Sequence, residues 1–215
     1  MARRPINRNT PAVDRDTIVQ AALLVLNRDG LANLTIRSVA DVVGVRASAL
    51  YWHVRDKTAL VDYMAEAILQ TEFATITVRT KPQTWQDWLI LTMQKLRTAM
   101  LSHRDGGRVV TGAHLFPAIS LTGLIEAGLF SLSTDGVELA KADTILTTAI
   151  HFTFGRVIEE QSGPTMDEIT KIDFKTAFEA YPLLYQSIQR VNITNAADEF
   201  KESLELIVNG AGFTK

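Results

Sequence analysis

The sequence contains no cysteine. That excludes disulfides, thiol nucleophiles and zinc sites built on thiolates. No apolar run approaches the ~20 residues that a membrane-spanning helix needs. The first ten residues are basic and polar and lack the apolar stretch of a secretory signal. The expectation is a cytoplasmic protein with no membrane partner. Strand-like alternation is scarce; residues 75–79 are β-prone but short, and read better as a helix end. Catalytic signatures are missing as well: there is no GxSxG, no Walker loop and no HExxH. Glu159 and Glu160 with His151 would make an acid–base set, but nothing in the sequence orients them. Lone histidines such as His103, His114 and His151 are more often hydrogen-bonded structural groups than ligands. We therefore expect no enzyme, no cofactor and no metal.

What is present is apolar and helical. The chain has 215 residues, 47% of them hydrophobic, which allows one or two domains with a sizeable core. The net charge of −2 disfavours a nonspecific nucleic-acid coat. It is unevenly spread, however. Residues 1–62 hold nine Lys/Arg against six Asp/Glu, and the remainder 13 against 18. A basic head on an acidic body fits a small DNA-binding module carried by a domain with another task. We divide the chain at 1–62 and 63–215.

Apolar spacing is helical almost throughout. Ile18, Ala21, Ala22, Val25 and Leu26 line one face of a first helix, with Asp14 or Asp16 at its start and Gly30 at its end. A helix is expected from 56 to about 78, another from 85 to 103, a long one over 136–161, and two more over 173–181 and 196–210. Lys81-Pro82, Gly106-Gly107, Pro117 and Gly163-Pro164 interrupt the pattern. The fold class is all-α.

Residues 34–57, LTIRSVADVVGVRASALYWHVRDK, carry the most information. Thr35 can cap a short helix with the apolar face Val39, Ala40 and Val43. Gly44 permits a sharp turn. Leu50 and Val54 can return a second helix to the core. This is a helix-turn-helix, whose second helix enters the DNA major groove. Tyr51, Trp52 and His53 cannot all face inward, because successive helical residues point about 100° apart. Beside Arg55 and Lys57 they suit sugar–phosphate contact. The arginine fork of Arg37 suits a base edge or a phosphate. Ser38, Arg46, Ala47, Ser48 and Ala49 surround the start of the recognition helix, and their small members allow a close approach. Arg3, Arg4, Arg8 and Arg15 form either a solubilising tail or an arm that reaches the minor groove.

These residues resemble the tetracycline-repressor (TetR) family. Its pattern is a helix ending in glycine, then LTxRxVAxxxGVxxxxLYxHxxxKxxL. It is met here by Gly30, by 34–40, by Gly44-Val45, by 50–54, and by Lys57 and Leu60. The likeness continues through WQDWL at 85–89, LSHRDG at 101–106 and HFTFG at 151–155, with EEQ at 159–161, which resemble the body of the tetracycline repressors themselves. It weakens over 115–133 and 162–196. The resemblance implies a ligand-responsive transcriptional regulator, a repressor released from a palindromic double-stranded DNA operator by a small hydrophobic effector. A helical ligand-binding protein without DNA function is the alternative.

A helix-turn-helix of this size needs two half-sites for affinity, so we expect a homodimer, built as a four-helix bundle from 136–161 and 196–210, with Ala140, Ala149 and Gly155 allowing close approach; burial of these helices within one chain is the alternative. The resemblance also implies an effector pocket among 56–78, 84–103, 108–116 and 136–161. Phe73, Trp88, Thr92, Leu96, Val110 and Phe116 are its candidate walls, and His114 and Glu159 its polar anchors. Val110 stands where the drug-responsive relatives place a magnesium-binding histidine. Phe73 maps near another of their histidines, His114-Leu115 near an Arg-Pro pair, and Glu159 on a carboxylate that helps hold the metal's water.

Overall fold

The computed structural model describes residues 13–75, 78–114, 116, 118–163, 171, 173–191 and 195–210; the side chains of 175, 190 and 191 are excepted. The candidate arm residues Arg3, Arg4 and Arg8 lie outside the described residues. Among the described residues the regular structure is helical. Helix α1 (Arg15–Asp29) begins where the Asp14 carboxylate accepts the Thr17 N–H at 2.8 Å. That bond holds the Asp14 carboxyl below its ordinary value. A short 3₁₀ turn, Leu31–Asn33, leads into α2 (Ile36–Val43) and α3 (Ala47–Leu50). Ile18, Ala22, Val25, Leu26, Leu34, Val39 and Leu50 are fully buried and form the core of this head.

Helix α4 (Lys57–Phe73) joins the head to the body. The 62/63 division therefore falls inside a helix. Leu60, Met64, Ala65, Ile68 and Leu69 are all fully buried. The helix packs on α1 and also on α5 (Trp85–Leu101), α6 (Gly106–Thr111) and α7 (Ile119–Thr134). The long α8 (Leu139–Ser162) lies against α5, α6 and α7. Helices α9 (Phe174–Ala177) and α10 (Pro182–Val191) follow, and α11 (Ala196–Gly210) closes on α5 and α8. Burying one leucine contributes about 1.5–3 kcal/mol, and α4, α5 and α8 each bury several large apolar side chains.

The boundaries depart from expectation in physical ways. Helix α4 stops at Phe73, five residues before the expected end. Two helices were not anticipated. In α7, glycines at 123 and 128 and the nearby Pro117 mimic a loop, yet packing against α8 overrides them. Helix α10 falls between the helices expected over 173–181 and 196–210, and its apolar residues follow a helical period.

A charge network ties the body together. Arg97 makes a two-pronged contact with Glu160, at 3.1 and 2.6 Å. Arg156 reaches both Glu160 (3.2 Å) and Glu199 (2.7 Å). Phe200 stacks on Phe152 at 5.5 Å, with the Arg97 guanidinium over its ring. These contacts link α5, α8 and α11.

One close approach defines the start of α6. A Cβ built on Gly106 would lie 2.1 Å from the Met100 carbonyl oxygen, a backbone atom that cannot rotate away. Gly106→Ala is expected to destabilise the protein by about 1–3 kcal/mol or more, as overpacking does. Gly210→Ala, with nothing within 4 Å of the added atom, is expected to change little. Urea unfolding of both variants checks the contrast.

Candidate DNA-binding interface and effector cavity

The interface is built on a capped turn. Thr35 Oγ1 accepts the Ser38 N–H at 3.0 Å, and Ser38 Oγ accepts the Thr35 N–H at 3.0 Å. The Ser38 hydroxyl also donates to the Thr35 carbonyl at 2.8 Å. Ser38 thus caps the helix start, a role that the sequence reading did not single out for it. Gly44 ends α2 at φ 79°, ψ 29°, a left-handed conformation that suits glycine, and its N–H returns to the Ala40 carbonyl.

Leu50 (0% exposed) and Val54 (1%) anchor the next segment in the core. The three residues between these anchors are forced outward: Tyr51 is 56% exposed, Trp52 88%, and His53 is also exposed. Helix α3 is one turn long, shorter than expected, so these rings sit in the turn that follows it. Arg37, Arg46 and Ser48 are exposed and Ala47 half-buried. Among the described residues neither Arg37 nor Arg46 is in an ion pair, so both cations are open to phosphate or base edges. Arg55 instead pairs with Asp56 at 2.9 Å. Asp56 caps α4 through the Ala59 N–H, and this bond, then Arg55, holds its carboxyl below the ordinary range. Lys57 Nζ donates to the Leu31 carbonyl at 3.3 Å, which fixes its stem and leaves two protons for a phosphate. Arg15 lies over the Tyr63 ring at 4.4 Å and so belongs to the α1–α4 contact.

A cavity of about 160 Å³ opens between the end of α4 and α5. Phe73, Trp88 and Thr92, three of the candidate wall residues, line it together with Leu91. Its other polar members are Glu72, Thr75, Gln83 and Lys95, none of which the sequence reading singled out as a site residue. A signal existed: Lys95 lies i, i+3 from Thr92, on the same face of α5.

The other candidates stand elsewhere. Leu96 (0%) and Val110 (1%) are core residues and do not line the cavity. Phe116 was expected in the wall but is 95% exposed. It sits in the α6–α7 connector, where no helix covers it. His114 also sits there; its ring reaches Asp62 at 3.2 Å rather than the cavity. Glu159 is 74% exposed and pairs loosely with Arg156 at 3.5 Å, because its α8 face turns outward. Val110 is aliphatic and buried while Glu159 faces solvent, so these two residues do not converge on one site. The imidazole of His103 is partly buried beside Ser102 Oγ (2.8 Å), and desolvation lowers its pKa.

For the dimer, Ala140 and Gly155 are exposed on α8, and Leu206 on α11 is 77% exposed. Ala149, expected at the same contact, is fully buried within its own chain. An apolar groove of about 530 Å³ runs between α8 and α11, along Ala140, Thr144, Thr148 and Ile207.

This arrangement has close counterparts. Residues 18–64 match the model of bacterial regulatory proteins of the tetR family, and residues 79–212 match the tetracyclin repressor-like C-terminal domain. The class A tetracycline repressor of transposon 1721 from Escherichia coli is 34% identical over 195 residues, 91% of this chain and 88% of that protein. A possible TetR family regulator from Streptomyces coelicolor superposes with a TM-score of 0.78 at 30% identity, over 92% of this chain and 98% of that one. A variant of TetR from Acinetobacter baumannii AYE, solved with minocycline, superposes at 0.75 with 27% identity, over 94% and 98%. BioQ with its double-stranded DNA operator superposes at 0.68 with 25% identity, over 94% and 99%. The chain belongs to the TetR family and is a ligand-responsive, DNA-binding transcriptional regulator.

The geometry separates a capping role from a contact role. Ser38→Ala is expected to lower stability by about 1 kcal/mol, the usual worth of a helix cap, with little loss of DNA affinity once folded. Arg37→Ala and Arg46→Ala should each weaken DNA binding and, where the contact is to phosphate, reduce the salt slope by about one. Thermal unfolding and fluorescence anisotropy at several salt concentrations distinguish the two outcomes.

Proposed function

We propose that this protein is a cytoplasmic repressor that binds a palindromic DNA operator as a homodimer. It leaves the operator when a small, largely hydrophobic molecule enters the α4–α5 cavity. The head, 1–62, carries DNA affinity, and the body, 63–215, carries effector binding and dimerisation. The observation that carries this reading is the outward-facing set Arg37, Arg46, Tyr51 and Trp52 held over the buried anchors Leu50 and Val54, with α4 running from that head to the cavity wall at Phe73. The operator complex of BioQ and the minocycline complex of the Acinetobacter TetR variant support the two kinds of partner.

Two recognition segments must lie roughly 34–36 Å apart to enter successive major grooves. A ligand that wedges apart α4 and α5 alters that spacing through the tilt of α4. It need only favour one state by a coupling energy of about 1–3 kcal/mol. The apolar surface of Phe73, Trp88 and Leu91 takes the body of the ligand. Glu72, Gln83 and Lys95 replace His114 and Glu159 as polar anchors. No divalent metal takes part.

The primary test is a gel shift with the DNA upstream of the protein's own gene; no retardation at low salt would overturn the reading. For the dimer, Leu206→Asp places a charge in an apolar contact and should halve the mass seen by light scattering. A monomeric wild type would contradict the dimer. For the effector, calorimetric titration with tetracycline, with and without magnesium, should give no metal-dependent sub-micromolar binding. Finding such binding would restore a magnesium–drug site.

A further inference from the structure

Helix α7 begins without a cap of its own. Its N-cap residue is Ala118, whose side chain accepts nothing, yet the first N–H groups of a helix need partners. One partner comes from α4. Glu66 Oε2 accepts the Ser120 N–H at 2.9 Å, and Oε1 accepts the Ser120 hydroxyl at 2.9 Å. Ser120 itself is only 5% exposed. The carboxylate thus lies at the positive end of the α7 dipole. One turn earlier on α4, Asp62 is also 5% exposed. Its Oδ1 accepts the His114 N–H at 2.9 Å, and the His114 ring lies 3.2 Å from both its oxygens. Two carboxylates of α4 therefore hold both ends of the segment that joins α6 to α7.

We infer that Glu66, backed by Asp62, is the positioning residue that couples the α6–α7 segment to the DNA-binding head. The inference rests on the regulatory reading above. Helix α4 is one rigid element that packs against α1 in the head and lines the cavity with Phe73 at its far end. If the start of α7 shifts, either α4 moves with it or two hydrogen bonds to a half-buried carboxylate break. Bonds to a charged acceptor are the strong kind, so the two elements move together. Coupling between sites is reciprocal. Whatever α7 transmits to the head, DNA bound at the head transmits to α7, and no effector is needed to detect it.

The test is amide hydrogen exchange at Ser120 in the full-length protein, free and saturated with an operator duplex selected from random DNA. It uses the wild type, Glu66→Ala, Glu66→Gln and Gln70→Ala. Gln70 donates to Glu66 Oε1 at 3.0 Å, so its removal perturbs the carboxylate's surroundings and spares the Ser120 bonds. In the wild type and in Gln70→Ala, operator binding should change Ser120 exchange about threefold or more, as a shift in local opening does. Glu66→Ala should lose this response while still binding the operator. Glu66→Gln should recover it, because the amide oxygen still accepts from the Ser120 N–H. Unchanged Ser120 exchange in an operator-bound wild type overturns the inference and leaves the regulatory reading intact. So does a response that survives in Glu66→Ala. A wild type that selects no DNA overturns both. Where Glu66→Ala fails to fold, unchanged Ser120 exchange in the operator-bound wild type still overturns the inference.

Discussion

The structure depends on one shared helix. Helix α4 must satisfy two cores at once, because it packs on α1 in the head and on α5, α6 and α7 in the body. Leu60, Met64, Ala65, Ile68 and Leu69 are all completely buried, so the helix has little freedom to slide against either partner. Truncating any one of the larger side chains would cost about 2–5 kcal/mol. A packed interface of this kind has discrete arrangements rather than a continuum. A regulator needs that property: a small change at one end of α4 becomes a defined change at the other.

The polar contacts are distributed to match. On the head side, Lys57 donates to the Leu31 carbonyl, and Arg15 lies over Tyr63. On the body side, Asp62 and Glu66 hold the α6–α7 segment. A second seam joins the head to the start of α6. Asp105, at φ 55°, accepts the Leu31 N–H at 2.9 Å, while Arg104 donates from its backbone to Asn27 and from its guanidinium to the Arg28 carbonyl. The end of α1 and the turn at Leu31 are thus held by residues more than seventy positions away. Beyond this zone, the Arg97–Glu160–Arg156–Glu199 network makes α5, α8 and α11 a stiff frame.

The helix-turn-helix was legible in the sequence because it is local. Thr35, Gly44, Leu50 and Val54 lie within twenty residues, and each acts through backbone geometry or an i, i+4 relation. Outward orientation of Tyr51 and Trp52 follows from the two anchors on either side. The cavity between α4 and α5 was legible only in part. Phe73, Trp88 and Thr92 line the cavity, whereas Leu96 and Val110 are buried beyond it and Phe116 is bare. Apolar character favours an inner face, but cannot say whether that face meets a neighbour, a void or solvent.

The sequence by itself determined the all-α class, the helix-turn-helix and its outward-facing residues, since helical period, caps and glycine turns are properties of short stretches. Tertiary structure alone decided that α7 is a helix despite its glycines, that Ala149 packs within its own chain, and that Glu66 caps α7. Each of those outcomes needs two segments to meet, and the Glu66 and Asp62 contacts join residues 54 and 52 positions apart. Nothing in the spacing of either segment encodes the meeting. It follows from how α4, α7 and α8 fill one core, where the burial of whole helix faces outweighs the preferences of single residues.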